Sequence, residues 1–229
     1  MFILGTMRFE EVPTPARIAA RPRDLRGYPV LAITPWEDGE PRFAATGTAR
    51  ILICAAERRC SICGTPMAPG EPVWRVVAGP EADAIEAALT AGDEYANDAA
   101  TVEPPGHRVC MLYAAVVCPW LARPNARRAN DVAALGFEIA RGEQRGFGGA
   151  VVGFEEFEAS VGEYVMFRFR GLREFRPHEL GDEQLPELLK AVDDEAGTPG
   201  IPECPPYLLA DEPAAEARYA ALLRAMRGS

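Results

Sequence analysis

A chain of 229 residues, 48% hydrophobic and 25% charged, has the composition of a globular protein able to bury a sizeable core, as one large domain or two small ones. Its net charge of −10 sets the overall field against phosphate, so nucleic acid is not the default partner. Six cysteines are too few for a disulfide scaffold, no run approaches the ~18 apolar residues of a membrane span, and the short apolar start at Met1 is unlike a signal peptide. The expected setting is cytoplasmic and reducing, in which paired cysteines serve a metal.

In chain order, residues 1–26 read as an irregular arm, because Pro13, Pro15 and Pro22 interrupt any helix. Tyr28–Thr34 reads as a strand, Glu37-Asp38-Gly39-Glu40 as a turn, and Arg42-Phe43 as the start of a return strand. The apolar run Arg50–Ala55 leads into a Cys-x-x-Cys-Gly turn, and Trp74–Ala78 is expected to return from it as a strand. Pro80 opens a helix that runs to Ala91 and ends at Gly92, and the small polar residues Asp93–Thr101 make a loop.

Cys60-Ser-Ile-Cys63-Gly64 and His107-Arg-Val-Cys110 supply three thiols and one imidazole. In Cys-x-x-Cys the chain must reverse to aim both sulfurs at one centre, and Gly64 permits the positive φ that such a turn needs. Residues three apart on a helix share a face, so His107 and Cys110 address one ion from a helix N-terminus, where unpaired N–H groups favour thiolates. This is the ligand set of a closed, tetrahedral, structural zinc site, in an arrangement that resembles a treble clef.

His107–Cys118 is apolar on most sides, which marks a buried central helix, preceded by Pro104-Pro105-Gly106 and stopped by Pro119. Eight residues separate Cys110 from Cys118, ~12 Å along a helix axis, too far to share one ion; Cys118 is expected to be a small buried hydrophobe. Cys54 has the same expectation, and Cys204, between prolines in a stiff connector, has no evident partner. Arg123, Arg127 and Arg128, followed by Arg141 and Arg145, form the one candidate anion patch, although a solvated arginine face explains them as well.

Ala150–Phe154 and Tyr164–Arg170 read as strands, the second with Val165, Phe167 and Phe169 on one apolar face. Leu185, Leu188, Leu189 and Val192, then Tyr219, Leu222, Leu223 and Met226, repeat at helical spacing, and Asp211 with Pro213 starts the last helix. The expected fold is α+β: short hairpins and a zinc knuckle on a buried central helix, with further strands and two C-terminal helices. Its divisions are an arm over 1–26, a zinc-containing core over 27–145, and C-terminal strands and helices over 146–229.

Four motifs in order, Arg26-Gly-Tyr-Pro29, Cys60-Ser-Ile-Cys63-Gly64, Pro104-Pro-Gly-His-Arg-Val-Cys110 and Cys118-Pro-Trp-Leu121, resemble a group of uncharacterised bacterial and phage-associated proteins. The likeness covers about residues 12–145. The group often carries a further Cys after a Gly-Pro element; here Gly79-Pro80 is followed by Glu81. The resemblance implies the metal site and no reaction.

Three functional readings follow. The first is a non-enzymatic, zinc-stabilised binding or adaptor protein with a protein partner. The second is an enzyme, either with a separate small-molecule pocket or with an open zinc served by Glu57 or Glu103 as base. The third is a nucleic-acid-associated factor of a mobile element, using Arg58, Arg59, Arg127 and Arg128. With His107 a ligand, His178 is the one remaining neutral-pH acid–base group, and it reads as a surface-loop residue.

Overall fold

The computed structural model describes residues 3–4, 7–43, 45, 47–95, 103–122, 148–162, 164–197 and 200–227. The N-terminal segment forms a minimal hairpin, β1 (Ile3–Leu4) and β2 (Met7–Arg8), then a one-turn helix α1 (Ala16–Ala19). It is less of an arm than its prolines suggest, because Phe9, Val12 and Ile18 lie in the main hydrophobic core. Asp38 and Gly39, both at positive φ (52° and 79°), turn the hairpin of β3 (Trp36–Glu37) and β4 (Glu40–Pro41), the backbone requirement of a tight two-residue turn.

Two expectations in this half fail. Tyr28–Thr34 is irregular rather than a strand: Pro29 has no N–H to donate, Val30 N–H donates to Pro22 O, and Ala32 N–H reaches Ile62 O. Arg50–Ala55 belongs to a helix, α2 (Thr48–Ala56), not to a strand paired with Trp74–Ala78. Six consecutive α2 residues from Ala49 to Cys54 are buried, so the apolar run carries no periodicity that separates helix from strand. The strand β5 (Val73–Ala78) exists, but its partner is distant in sequence.

That partner is β6 (Gly149–Val161), which continues into β7 (Val165–His178) to give an antiparallel sheet ordered β5-β6-β7. Both strands outrun their expected bounds, through a register shift at Gly153/Phe154. Val165, Phe167 and Phe169 are buried, as their alternation predicts, and Phe154 stacks on Phe169 at 5.1 Å.

Against the sheet pack α2, α3 (Gly79–Ala91, ended by Gly92 at φ 75°) and the central helix α4 (Arg108–Val117). Eight of ten α4 residues are buried, each large one contributing about 1.5–3 kcal/mol of hydrophobic stabilisation. Pro119 ends α4 but opens a further turn of helix, α5 (Pro119–Ala122). The last two helices are α6 (Leu185–Ala196) and α7 (Glu212–Arg227), the latter capped by Asp211 Oδ1, which accepts from Ala214 N–H at 2.9 Å. Leu189 and Met226 drop out of the expected stripes and face solvent; the buried face of α6 is Leu188, Ala191 and Glu195. The chain is thus mixed α+β, and among the described residues no helix is long and apolar enough to cross a membrane.

Candidate metal centre

The knuckle is closed by backbone hydrogen bonds. Gly64 N–H donates to Cys60 O at 2.9 Å, Cys60 N–H to Thr65 O at 3.0 Å, and Met67 N–H to Arg58 O at 2.9 Å, closing a hairpin bridged at Arg59 and Pro66. Gly64 sits at φ +78°, the left-handed region anticipated for it. A side chain there would also strike Cys204, whose Sγ lies 2.5 Å from the ideal Cβ position.

The 43 residues between Cys63 and His107 are bridged by the extended segment Pro104–Gly106. Ser61 N–H donates to Pro105 O at 3.0 Å, and Ser61 Oγ–H to Pro104 O at 3.2 Å, tying that segment to the knuckle. Gly106 exchanges both backbone bonds with Trp74 at 2.9 Å, tying it to β5. Gly106 also runs too close to Cys60 Sγ for a side chain, at 2.9 Å from its ideal Cβ position. His107 therefore arrives as the residue before α4, and Cys110 in its first turn.

Cys60, Cys63, His107 and Cys110 bring their ligand atoms within 4.8 Å of one another. Cys63 Sγ is 3.5 Å from His107 Nδ1, matching the edge of about 3.5–3.8 Å expected for a tetrahedron with Zn–S and Zn–N bonds of about 2.3 and 2.1 Å. His107 Nε2 lies 3.0 Å from Pro66 O, which only accepts, so the ring proton is on Nε2 and the Nδ1 lone pair faces the cluster. The three thiols are fully buried and none forms a disulfide; His107 is half-buried.

Burial pushes the Cys60 thiol up, but thiol hydrogen bonds to Cys110 and Cys63 and backbone N–H groups of Cys63 and His107 outweigh it, holding Cys60 well below the ordinary thiol range. Burial, with the same thiol contacts, pushes Cys110 well above that range. Arg17, raised despite its burial by its bond to Glu195, lies within electrostatic reach of the cluster.

A pH dependence follows with a definite sign. Below the ordinary thiol range Cys110 is protonated in both the folded apo chain and the unfolded chain, so it adds nothing to apo stability there. A metal must displace that proton, so affinity rises with pH, by up to about tenfold per unit for each proton released. Chelator competition at pH 6, 7 and 8 measures this; an affinity flat across the range would mean that the thiols are not the ligands.

The other sequence candidates fall elsewhere. Cys118 follows the last residue of α4 and is half-buried rather than buried, at the opposite end from Cys110. Cys54 is buried in α2, as expected, and burial raises its thiol far above the ordinary range. Cys204 is not partnerless: Arg21 Nη1 donates to its Sγ at 3.1 Å, beside the knuckle. His178 is not a loop histidine but a buried residue at the end of β7, its Nδ1 3.2 Å from Gln184 Nε2. Arg123, Arg127, Arg128, Arg141 and Arg145 lie outside the described residues. Arg58 covers the Phe157 ring at 5.2 Å, Arg59 is paired with Glu57 at 2.6 Å, and Glu103 with Arg75 at 3.0 Å.

Sequence spacing found the four converging side chains and missed what surrounds them. Thr65 and Pro66 simply follow the knuckle in sequence, whereas Arg17, Arg21 and Cys204 are brought to the centre by the fold. Comparison of the chain with protein-family models, curated proteins and solved structures finds no match.

Proposed function

We propose that Cys60, Cys63, His107 and Cys110 hold one zinc ion in a closed structural site, and that the chain is a zinc-stabilised, non-enzymatic binding or adaptor protein. The observation that carries this is the convergence of three fully buried thiols and one tautomer-locked imidazole, delivered by two segments 43 residues apart. Four protein ligands leave no position for a reacting water, and three thiolates make zinc a poor Lewis acid. Zinc with three thiolates carries a net −1, which the nearby Arg17 and Arg21 guanidinium groups offset. Thr65 Oγ1, 3.2 Å from Cys63 Sγ, would donate to the metal-bound thiolate, completing the support of that ligand.

The hairpin knuckle followed by a helix-borne ligand pair gives a treble-clef-like module, consistent with the resemblance to phage-associated zinc proteins. Neither carboxylate of the enzymatic reading is poised as a base. Glu57 accepts from Tyr207, Arg59 and Arg218, which hold it below the usual carboxylate range against the opposing pull of burial, and Glu103 is engaged by Arg75. Arg58 and Arg59 are likewise committed inside the protein, which weakens the nucleic-acid reading.

Metal analysis of protein purified without added metal tests the proposal. One zinc per chain is expected, kept in Cys118→Ser because that thiol is at the far end of α4. A folded chain without metal would overturn it.

A further inference from the structure

The C-terminal segment crosses the knuckle before α7 begins, and three polar locks hold it there. The first is Arg21, buried at 4% exposure, which donates from Nη1 to Cys204 Sγ (3.1 Å) and Leu208 O (2.8 Å) and from Nε to Val30 O (2.8 Å). Cys204 Sγ in turn fills the space left by the missing side chain of Gly64. The second is Glu57, which accepts from Tyr207 Oη, Arg218 Nε and Arg59 Nε, each at 2.6 Å; Arg59 Nη1 also reaches Gly64 O at 3.3 Å. The third is Arg50, fully buried, which donates to Glu212 Oε2 (2.7 Å), Leu209 O (3.0 Å) and Ala32 O (3.3 Å). Ala32 N–H completes the circuit by donating to Ile62 O in the knuckle at 2.9 Å.

The Glu57 and Arg50 locks each grip the C-terminal segment on one side and the knuckle, or backbone bonded to it, on the other. Arg21 ties Cys204 and Leu208 to Val30 and meets the knuckle through the packing of Cys204 on Gly64. Beneath lies an apolar seat in which Leu208 and Ala215 are fully buried against Ala32, Ile53 and Cys54, with Tyr207, Tyr219 and Leu222 only partly buried around them. α7 itself buries only Ala215 completely. An element with one fully buried helical residue and otherwise half-buried packing leans on its directional polar contacts, and it opens at lower free energy than the core sheet when those partners move.

We infer that residues 203–227 are a latch whose docking is coupled to metal occupancy of the knuckle, an inference that rests on the structural-zinc reading above. With the ion bound, Gly64, Ile62 and the residues around them are fixed and all three locks close. When the ion leaves, the knuckle relaxes, Cys204 and Arg59 lose their footing, and α7 lifts, baring Ala32, Ile53 and Leu208. Coupling between binding events is reciprocal, so a loosened latch must weaken zinc by the same factor that zinc strengthens the latch.

Hydrogen exchange on the full-length zinc-loaded chain, before and after zinc removal with EDTA, tests this. Amides of 207–223 should lose protection together with those of 60–67, while those of β5, β6 and β7 keep theirs. Protection of α7 that survives zinc removal, or is lost only together with the sheet, overturns the latch. A second arm uses Glu57→Ala, which removes one lock and no ligand. Its zinc content should stay at one per chain, with affinity about tenfold weaker in competition with a colour-forming chelator; unchanged affinity overturns the coupling. A wild-type chain that binds no zinc removes the zinc reading and the latch together, whereas one zinc per chain with α7 indifferent to it removes the latch alone.

Discussion

Replacement Cys63→Ser is expected to take zinc from one per chain to near zero and to cost the protein its knuckle and everything seated on it. Serine keeps the shape of the side chain but offers no thiolate, so the change tests ligation rather than packing. The neighbourhood makes the loss severe: Cys63 Sγ contacts both His107 Nδ1 and Thr65 Oγ1, and Gly64 beside it is the seat of Cys204. Structural zinc contributes an apparent ~10–16 kcal/mol to small modules at neutral pH, comparable with the ~5–15 kcal/mol that holds a whole domain folded. The variant should therefore melt far below the wild type and show protease-sensitive bonds near residues 58–67. Metal analysis combined with thermal unfolding decides the matter. A well-folded variant that retained one zinc would remove Cys63 from the ligand set.

Phe167→Ala is the complementary experiment, aimed at the core and away from the metal. Phe167 is fully buried on β7, 5.9 Å from the Phe157 ring, and its removal leaves a cavity under the sheet. Large-to-small changes of this kind cost about 3–5 kcal/mol, seen as a lower denaturation midpoint at unchanged slope in urea. Zinc content of the folded fraction should stay at one per chain, because the hydrogen bonds that close the knuckle run to Pro104, Pro105 and Ala32 and not to β7. Loss of zinc from folded Phe167→Ala would show that core and metal centre form one inseparable unit; a cost below about 1 kcal/mol would mean that the site collapses to fill the gap. The pair of variants separates two sources of order: burial, which holds the sheet against α2, α3 and α4, and the proposed ion, which would clip the knuckle to the start of α4.

Much of the candidate centre was legible before folding because its requirements are local. Cys-x-x-Cys-Gly demands a reversal with a positive φ, and Gly64 supplies it. His-x-x-Cys after Pro-Pro-Gly demands a helix start, and α4 begins at Arg108. Gly92, the Asp38-Gly39 turn, the Asp211 cap and the apolar face of β7 were readable for the same reason: each is a demand that a few consecutive residues make on their own backbone or pleat.

Other features were set by partners distant in the chain, and no local pattern reports those. α2 is buried on nearly every side, which erases the periodicity that distinguishes a helix from a strand, so the run Arg50–Ala55 does not declare itself as a helix. β5 pairs with β6, more than seventy residues on, instead of with its sequence neighbour, because an edge of sheet is satisfied by whichever strand the fold delivers. His178 is buried because β7 runs eight residues past the point where its alternation of apolar and polar residues ends at Arg170. Cys204 meets the knuckle because two ion-pair networks and the Arg21 hydrogen bonds hold the C-terminal segment across it. By itself the sequence determined the four candidate ligands and the turns that aim them, since those are short-range matters of φ, capping and spacing. Tertiary structure alone decided what surrounds the centre, because burial and strand pairing are contracts between residues far apart in the chain.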